Sequence, residues 1–430
     1  LPEQKPNPIV ERNNPVTCQT RRRLHIDYAW VIIIGAILVA SAGGGTSWYA
    51  MGVLFSPLVE EFGWGRGAYS VATSIYVISM CLGSLPIGRL VDRWGPRRVM
   101  LGGALLGSLI WSLISRLGFL GRGTALGELY VLYGVLGAVG MASGSVSANT
   151  LVARWFRSRS GLALGLSAVG GGLPGVILVP LSAPLIADHG WRALTLGLAA
   201  LSLASVPIVL WVLRDAPASG ARPGVGGASA APGMTARAAL LSAPFWIVGV
   251  ASLLAQFGSV AAQFHAIPFL MDRGLSRELA SSIWGSLAFA GIVGKVGLGY
   301  AADHSSGRTV FFASIALHAT AMAVALLIPG TAAAWLFALL LGLGMGGYMA
   351  SRPVLVQEYF GLRAFGTITG AIYLFALPGM AGGQPLAGYL YDLTGSYTLA
   401  YSVFIGAFAL GMAVLLFLGR ARRADKPALE

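Results

Sequence analysis

Apolar residues in this chain come in long unbroken stretches separated by short polar connections. Runs near 20 residues long recur from residue 29 to 418, long enough for a helix to cross about 30 Å of hydrocarbon. Their length and lack of period-two alternation predict helices rather than strands. The expected spans are 29–55, 68–91, 99–117, 125–148, 161–187 and 191–213, then 245–270, 280–301, 310–328, 332–351, 364–391 and 397–418. The fold class expected is an all-α membrane protein, with twelve transmembrane helices in two pseudo-symmetric six-helix bundles. Gly43, Gly44 and Gly45 fall inside the first span and predict a bend or close packing there.

Between the sixth and seventh spans the composition shifts. Residues 214–243 are rich in Ala, Gly, Pro and Ser with scattered Arg, and read as a flexible linker. The expected organisation is therefore a disordered tail over 1–26, one bundle over 27–213, the linker over 214–243, a second bundle over 244–420 and a short tail over 421–430. The first apolar run follows a long polar stretch and exceeds a signal-peptide core in length, so no cleavable signal is expected.

The two halves repeat each other. LVARWF at Leu151 aligns with LVQEYF at Leu355. At the same offset Arg159 meets Arg363, Leu173-Pro174-Gly175 meets Leu377-Pro378-Gly379, and Asp188 meets Asp392. Earlier in each half, Gly83, Gly88 and Asp92 match Gly294, Gly299 and Asp303. Two six-helix repeats joined by a linker is a transporter plan, with the substrate bound near the midplane between them.

Charge refines this picture. Only 10% of the 430 residues are charged, against roughly 25% in soluble domains, and 56% are hydrophobic. The net charge of +13 does not indicate nucleic-acid binding. The arginines sit in short connections and tails on alternate loops, the pattern that fixes orientation in a membrane. Arg21–Arg23, Arg89–Arg98, Arg154–Arg159, the linker, Arg363 and the C-terminal tail all belong to that face, which predicts both termini and the linker in the cytoplasm. Cys18 and Cys81 predict neither a disulfide nor a metal site. No catalytic cluster, cofactor motif or Walker loop is present, so an enzyme is not expected, and transport must run on a gradient or on exchange.

One residue stands out against this background. Lys295 lies in WGSLAFAGIVGKVGLGYAAD, inside an expected span, whereas Lys5 and Lys426 lie in the tails. A lysine at the centre of a spanning helix costs about 2.5–3.5 kcal/mol. Its repeat partner is Ser84, so the charge belongs to one half only. Two readings are open: Lys295 faces a central cavity and binds an anion, or it snorkels to a membrane face, which lies about 12 Å away along the helix.

GRLVDRWGPRR, from Gly88 to Arg98, joins the second and third spans. Here the chain resembles the major facilitator superfamily, whose loop has this spacing of Gly, Asp, Arg, Gly and paired basic residues. Gly88 permits tight helix contact, and Asp92 can meet the positive end of another helix. Arg93, Arg97 and Arg98 keep the loop on the basic face, and Gly95 belongs to the same motif. Gly299 and Asp303 are the second-half copies. These residues are expected to gate, not to bind substrate.

Within that superfamily the chain resembles the monocarboxylate porter family and its oxalate/formate antiporter-like bacterial relatives. The likeness rests on Asp27-Tyr28-Ala29-Trp30, Glu61-Phe62-Gly63-Trp64, RWFRSRSGLALGLSAVGGG at Arg154–Gly172 and FHAIPFLMDRGLS at Phe264–Ser276. It implies that Lys295 occupies the place where relatives hold the substrate carboxylate with an arginine. Lysine keeps that charge but not the bidentate fork. The acid that precedes this arginine by one turn in animal members is here Gly291, which leaves proton coupling without its usual carrier. Lys295 itself can then carry the proton, charged with the anion bound and neutral when empty. The resemblance also implies that Tyr133 bonds the carboxylate; an interfacial aromatic is the plainer reading.

His265, Gln263, Tyr373 and Tyr348 are further polar candidates within spans. A lone histidine is as readily structural, and Arg352 reads as a helix-end charge rather than a ligand. The function expected is secondary transport of a small organic anion, a monocarboxylate such as lactate or pyruvate, in symport with a proton. The expected partners are that anion, the proton and lipid, and the expected working unit is a monomer in the bacterial cytoplasmic (inner) membrane. An oxalate/formate-type dicarboxylate exchanger is the alternative, but a dianion favours a second cation and the eleventh span offers none. A non-transporting sensor on the same scaffold would need a signalling domain, and the tails hold none.

Overall fold

The computed structural model describes residues 16–156, 159–216 and 233–419, with side chains described from Tyr28 onward. The tail before residue 16, Arg157, most of the linker and the basic C-terminal tail lie outside the described residues. Among the described residues, eleven stretches are long and apolar enough to cross a membrane. One of them, Ser160–Val212, is 53 residues long, about twice what a single crossing needs. Gly190 divides it: its φ of 79° and ψ of 164° interrupt the helix. The described residues thus cross twelve times.

The spans are α1 (Tyr28–Val53), α2 (Arg66–Trp94), α3 (Pro96–Ile114), α4 (Ala125–Trp155), α5 (160–189) and α6 (191–212) in the first half. The second half holds α7 (Ala243–Asp272), α8 (Arg277–His304), α9 (Gly307–Leu327), α10 (Thr331–Phe360), α11 (Phe365–Thr394) and α12 (Thr398–Leu416). Many leucines and valines point outward, among them Leu106, Leu109, Leu181 and Leu410, each about half exposed. In a soluble protein such an apolar surface would aggregate; here it faces lipid.

Three boundaries differ from the sequence reading. The helix leading into α1 begins at Val16, within the stretch expected to be disordered, because its Gln, Arg and Leu residues favour helix. The linker's end is also ordered. Met234 N–H donates to the Phe360 carbonyl at 2.8 Å, and a short helix follows over Ala236–Leu240. Finally, α4 and α10 run past their apolar cores to Trp155 and Phe360. The extension of α10 to Phe360 places Arg352 well inside the helix rather than at its end.

The halves meet mainly along α2 with α11 and α5 with α8. Glycines allow both contacts. A Cβ on Gly88 would collide with the Gly366 carbonyl, and one on Gly299 would lie 2.6 Å from the Gly161 carbonyl. Backbone therefore touches backbone, as small residues permit in membrane bundles. The parts of the first half that join in are the linker-side pieces of α4 and α5, Ser145–Trp155 and Ser160–Val169. The molecule is closed on the face that carries the linker.

Candidate substrate site between the halves

Two aspartates fasten that closed face, each from one half to the other. Asp92, at the end of α2, accepts from the Gly366 N–H at 3.0 Å, the Thr367 N–H at 2.7 Å and the Thr367 hydroxyl at 2.7 Å. These groups form the first turn of α11. Asp303, at the end of α8, accepts from the Gly161 N–H at 2.7 Å and the Leu162 N–H at 2.9 Å, in the first turn of α5. A carboxylate at a helix N-terminus is stabilised by free N–H groups and the helix dipole. Arg154 adds an ion pair to Asp92 at 3.7 Å. Arg97 donates to the Val209 carbonyl at 3.0 Å and braces α6. Gly95 turns the loop at φ 85°, while Arg93 and Arg98 are exposed.

Above this seam three helices of the first half break at one level. In α1 a π-helical turn spans Ser41–Gly45. In α4 Gly144 leaves helical geometry, with φ −98° and ψ −138°. In α5 the helix stops at Val169 and restarts at Leu173. The breaks touch: a Cβ on Gly44 would lie 2.7 Å from the Gly140 carbonyl, and one on Gly45 would lie 2.9 Å from the Gly170 carbonyl. The packing expected of Gly43–Gly45 is present. Broken helices at membrane depth are tolerated where they are buried in protein or line a cavity, and in transporters they mark binding sites.

Lys295 reaches this level from the second half. It is 6% exposed, and its Nζ lies 2.9 Å from the position a Cβ on Gly172 would take. Snorkelling is ruled out, because the side chain crosses the seam to the α5 break instead of turning to lipid. Gly172 is the N-cap of the outer piece of α5, so the ammonium stands beside a helix N-terminus. Among the described residues Lys295 has neither an ion-pair nor a hydrogen-bond partner.

Arg352 is the residue that sequence reasoning misplaced. It is 4% exposed, so it is not a helix-end charge. Its guanidinium carbon lies 3.9 Å from the centre of the Tyr373 ring and 5.1 Å from that of Tyr348. Its Nη1 donates to the Tyr348 hydroxyl at 3.1 Å, and its buried Nε has no partner among the described residues. Tyr373 in turn donates to Ser145 Oγ at 2.9 Å, just past the α4 break.

The other candidates sit elsewhere. Tyr133 is fully buried within the first half, its hydroxyl 2.9 Å from that of Tyr69, which donates to the Met51 carbonyl. It lies on the face of α4 that packs against α2. Gln263 donates to the Ser259 carbonyl of its own helix at 3.2 Å. The ring nitrogens of His265 lie 3.1 Å from the Tyr397 hydroxyl and 3.2 Å from the Gln384 carbonyl, tying α7 to α11 and α12. Of the six residues named for the substrate, Lys295 and Tyr373 reach across to the first half, and Tyr348 is bonded to Arg352 beside Tyr373.

The sequence profile of the Major Facilitator Superfamily matches residues 37–383. Monocarboxylate transporter 13 of Bos taurus is 30% identical over 397 residues, covering 91% of this chain and 89% of that one. The chain belongs to the monocarboxylate porter branch of the major facilitator superfamily. Solved structures agree on the fold of this facilitator. FucP in its outward conformation superposes with a TM-score of 0.67 at 15% identity, over 91% of this chain and 98% of that one. The proton:xylose symporter XylE superposes at 0.68 with 14% identity, over 92% and 97%. It is thus an integral membrane transporter and not an enzyme.

Proposed function

We propose that this facilitator carries a small monocarboxylate, such as lactate or pyruvate, in symport with a proton, with Lys295 as the carboxylate anchor. The observation that supports this most is the buried ammonium at the α5 break, which has no partner among the described residues. An isolated cation in a low-dielectric site costs several kcal/mol, and a bound carboxylate offsets that cost by charge and hydrogen bonds. The relatives' names point to the same class. With Gly291 in place of an acid, the proton rides on Lys295: charged with the anion bound, neutral when the site is empty.

The basic linker face lies in the cytoplasm by the positive-inside pattern, in a bacterial inner membrane. The form described, closed on that face, receives substrate from outside. Transport follows when Asp92 and Asp303 release the first turns of α11 and α5 and the opposite side closes. Uptake of labelled lactate, pyruvate, oxalate and formate into proteoliposomes, with and without an inward proton gradient, tests the reading. Lactate or pyruvate uptake that rises with the gradient supports it; movement of none of the four discards the substrate class.

A further inference from the structure

Lys295 leaves a second buried cation unexplained. Arg352 has no anionic partner among the described residues, and its two tyrosines compensate it only in part. A cation over an aromatic face gains about 0.5–2 kcal/mol, less than the cost of burying a guanidinium. Its repeat counterpart at the Leu151–Leu355 offset is Ala148, so, like Lys295 opposite Ser84, it is a charge of the second half alone. A cation needed for packing or topology would be expected in both copies.

Its position matches that of Lys295. Lys295 stands nine residues before His304 and Arg352 eight before Phe360, so both Cα atoms lie about 12–14 Å from the linker-side ends of their helices. The helices run in the same direction and touch: a Cβ on Gly346 would meet the backbone of Gly291, Gly294 and Lys295. Helical side chains lean toward the N-terminus, here away from the linker face. The bond from Arg352 to Tyr348, one turn back, shows this lean directly. Both cationic heads thus rise toward the level where α4 and α5 break. Lys295 meets the α5 break at Gly172, and the Arg352–Tyr373 stack meets the α4 break at Ser145.

We propose that Arg352, framed by Tyr348 and Tyr373, is a second substrate anchor that donates to an acceptor oxygen carried by the substrate in addition to the carboxylate held by Lys295. The inference rests on the Lys295 reading and adds to it that the substrate is bifunctional. Propionate and similar plain acids are then poor ligands. The second oxygen comes from a 2-oxo or 2-hydroxy group or from a second carboxylate. Arg352 is suited to either because its planar donor set keeps Nε free while Nη1 is held by Tyr348.

Competition by unlabelled propionate, pyruvate, lactate, malonate and succinate against a labelled substrate in proteoliposomes tests this, in the parent, Arg352→Gln and Arg352→Lys. Thermal-shift titration of the detergent-solubilised proteins provides a binding readout that does not need transport. The expected result is a parent preference for a bifunctional acid over propionate. Arg352→Gln should weaken that acid at least tenfold, change propionate less than twofold, and leave the melting temperature of the unliganded protein within a few degrees. Arg352→Lys should recover part of the loss. Selective loss of pyruvate and lactate identifies the 2-oxygen; selective loss of malonate or succinate identifies a second carboxylate. Equal loss on propionate, loss on none, or a parent with no preference overturns the second anchor while Lys295 stands. A parent that binds no carboxylate at all overturns the function reading itself.

Discussion

At the residue scale the unpaired cations carry the account, and they were unequally legible. Lys295 shows in the sequence because it is a lone lysine in an apolar run and has Ser84 as its repeat partner. Arg352 does not, because the apolar stretch before it ends at Ser351 and imitates a helix end. Pro353, Val354, Leu355 and Val356 continue the helix and are buried. Tyr133 shows a different limit: midspan depth does not say which neighbour a side chain meets, and its hydroxyl meets that of Tyr69. Gly172 gives a local test. Gly172→Ala places a methyl 2.9 Å from Lys295 Nζ, which as a flexible end can withdraw. We expect KM for a transported carboxylate to rise severalfold with kcat and melting temperature nearly unchanged. An unchanged KM would remove the α5 break from the site.

At the element scale the helix ends do the fastening. Asp92 and Asp303 were legible as a repeated motif with a capping chemistry, and both cap the first turn of a helix in the other half. Their partners were not legible, since no spacing in the chain indicates that α2 ends on α11. The breaks in α4 and α5 were visible only as glycine-rich stretches. Asp92→Asn removes the charge from a cap worth about 1 kcal/mol, which should move the closed-to-open ratio on the linker face about fivefold. Thiol labelling of Thr369→Cys from that face, in a background without Cys18 and Cys81, should quicken accordingly. Unchanged labelling would show that Asp92 does not hold the seam.

On the opposite face an ion pair within the first half ties the α1–α2 connection to the start of α6. Arg192 donates to Glu61 in a bidentate pair at 2.6 and 2.9 Å, and Trp191 Nε1 donates to the same carboxylate. The Arg192 bond holds the Glu61 carboxyl below its ordinary value of 4.5. A lowered value means the pair is at full strength above about pH 4.5 and is lost as the pH falls through the lowered value. Half of Arg192 is exposed, so salt screens the pair and it is worth under about 1 kcal/mol. Glu61→Gln should therefore lower the melting temperature at pH 7 by no more than about 3 °C, with the difference shrinking as the pH falls through the lowered Glu61 value. A larger loss at pH 7, or a difference that persists once the pH has fallen below the lowered value, would contradict this assignment.

At the scale of the whole molecule, the twelve crossings in two six-helix halves followed from hydropathy and the repeat. The conformational state did not, because it depends on which end of the seam the glycines of α2, α5, α8 and α11 bring together. The two buried cations come from the second half, and the broken helices that meet them come from the first. A carboxylate bound between them would touch both halves, which is what couples binding to their relative motion. The most direct test of that claim is proton-driven uptake of labelled pyruvate and lactate by Lys295→Ala beside the parent, at matched protein content. The account predicts loss of at least 90% of uptake in Lys295→Ala, and retention of anion binding but loss of the response to the proton gradient in Lys295→Arg. Uptake by Lys295→Ala equal to that of the parent would contradict it.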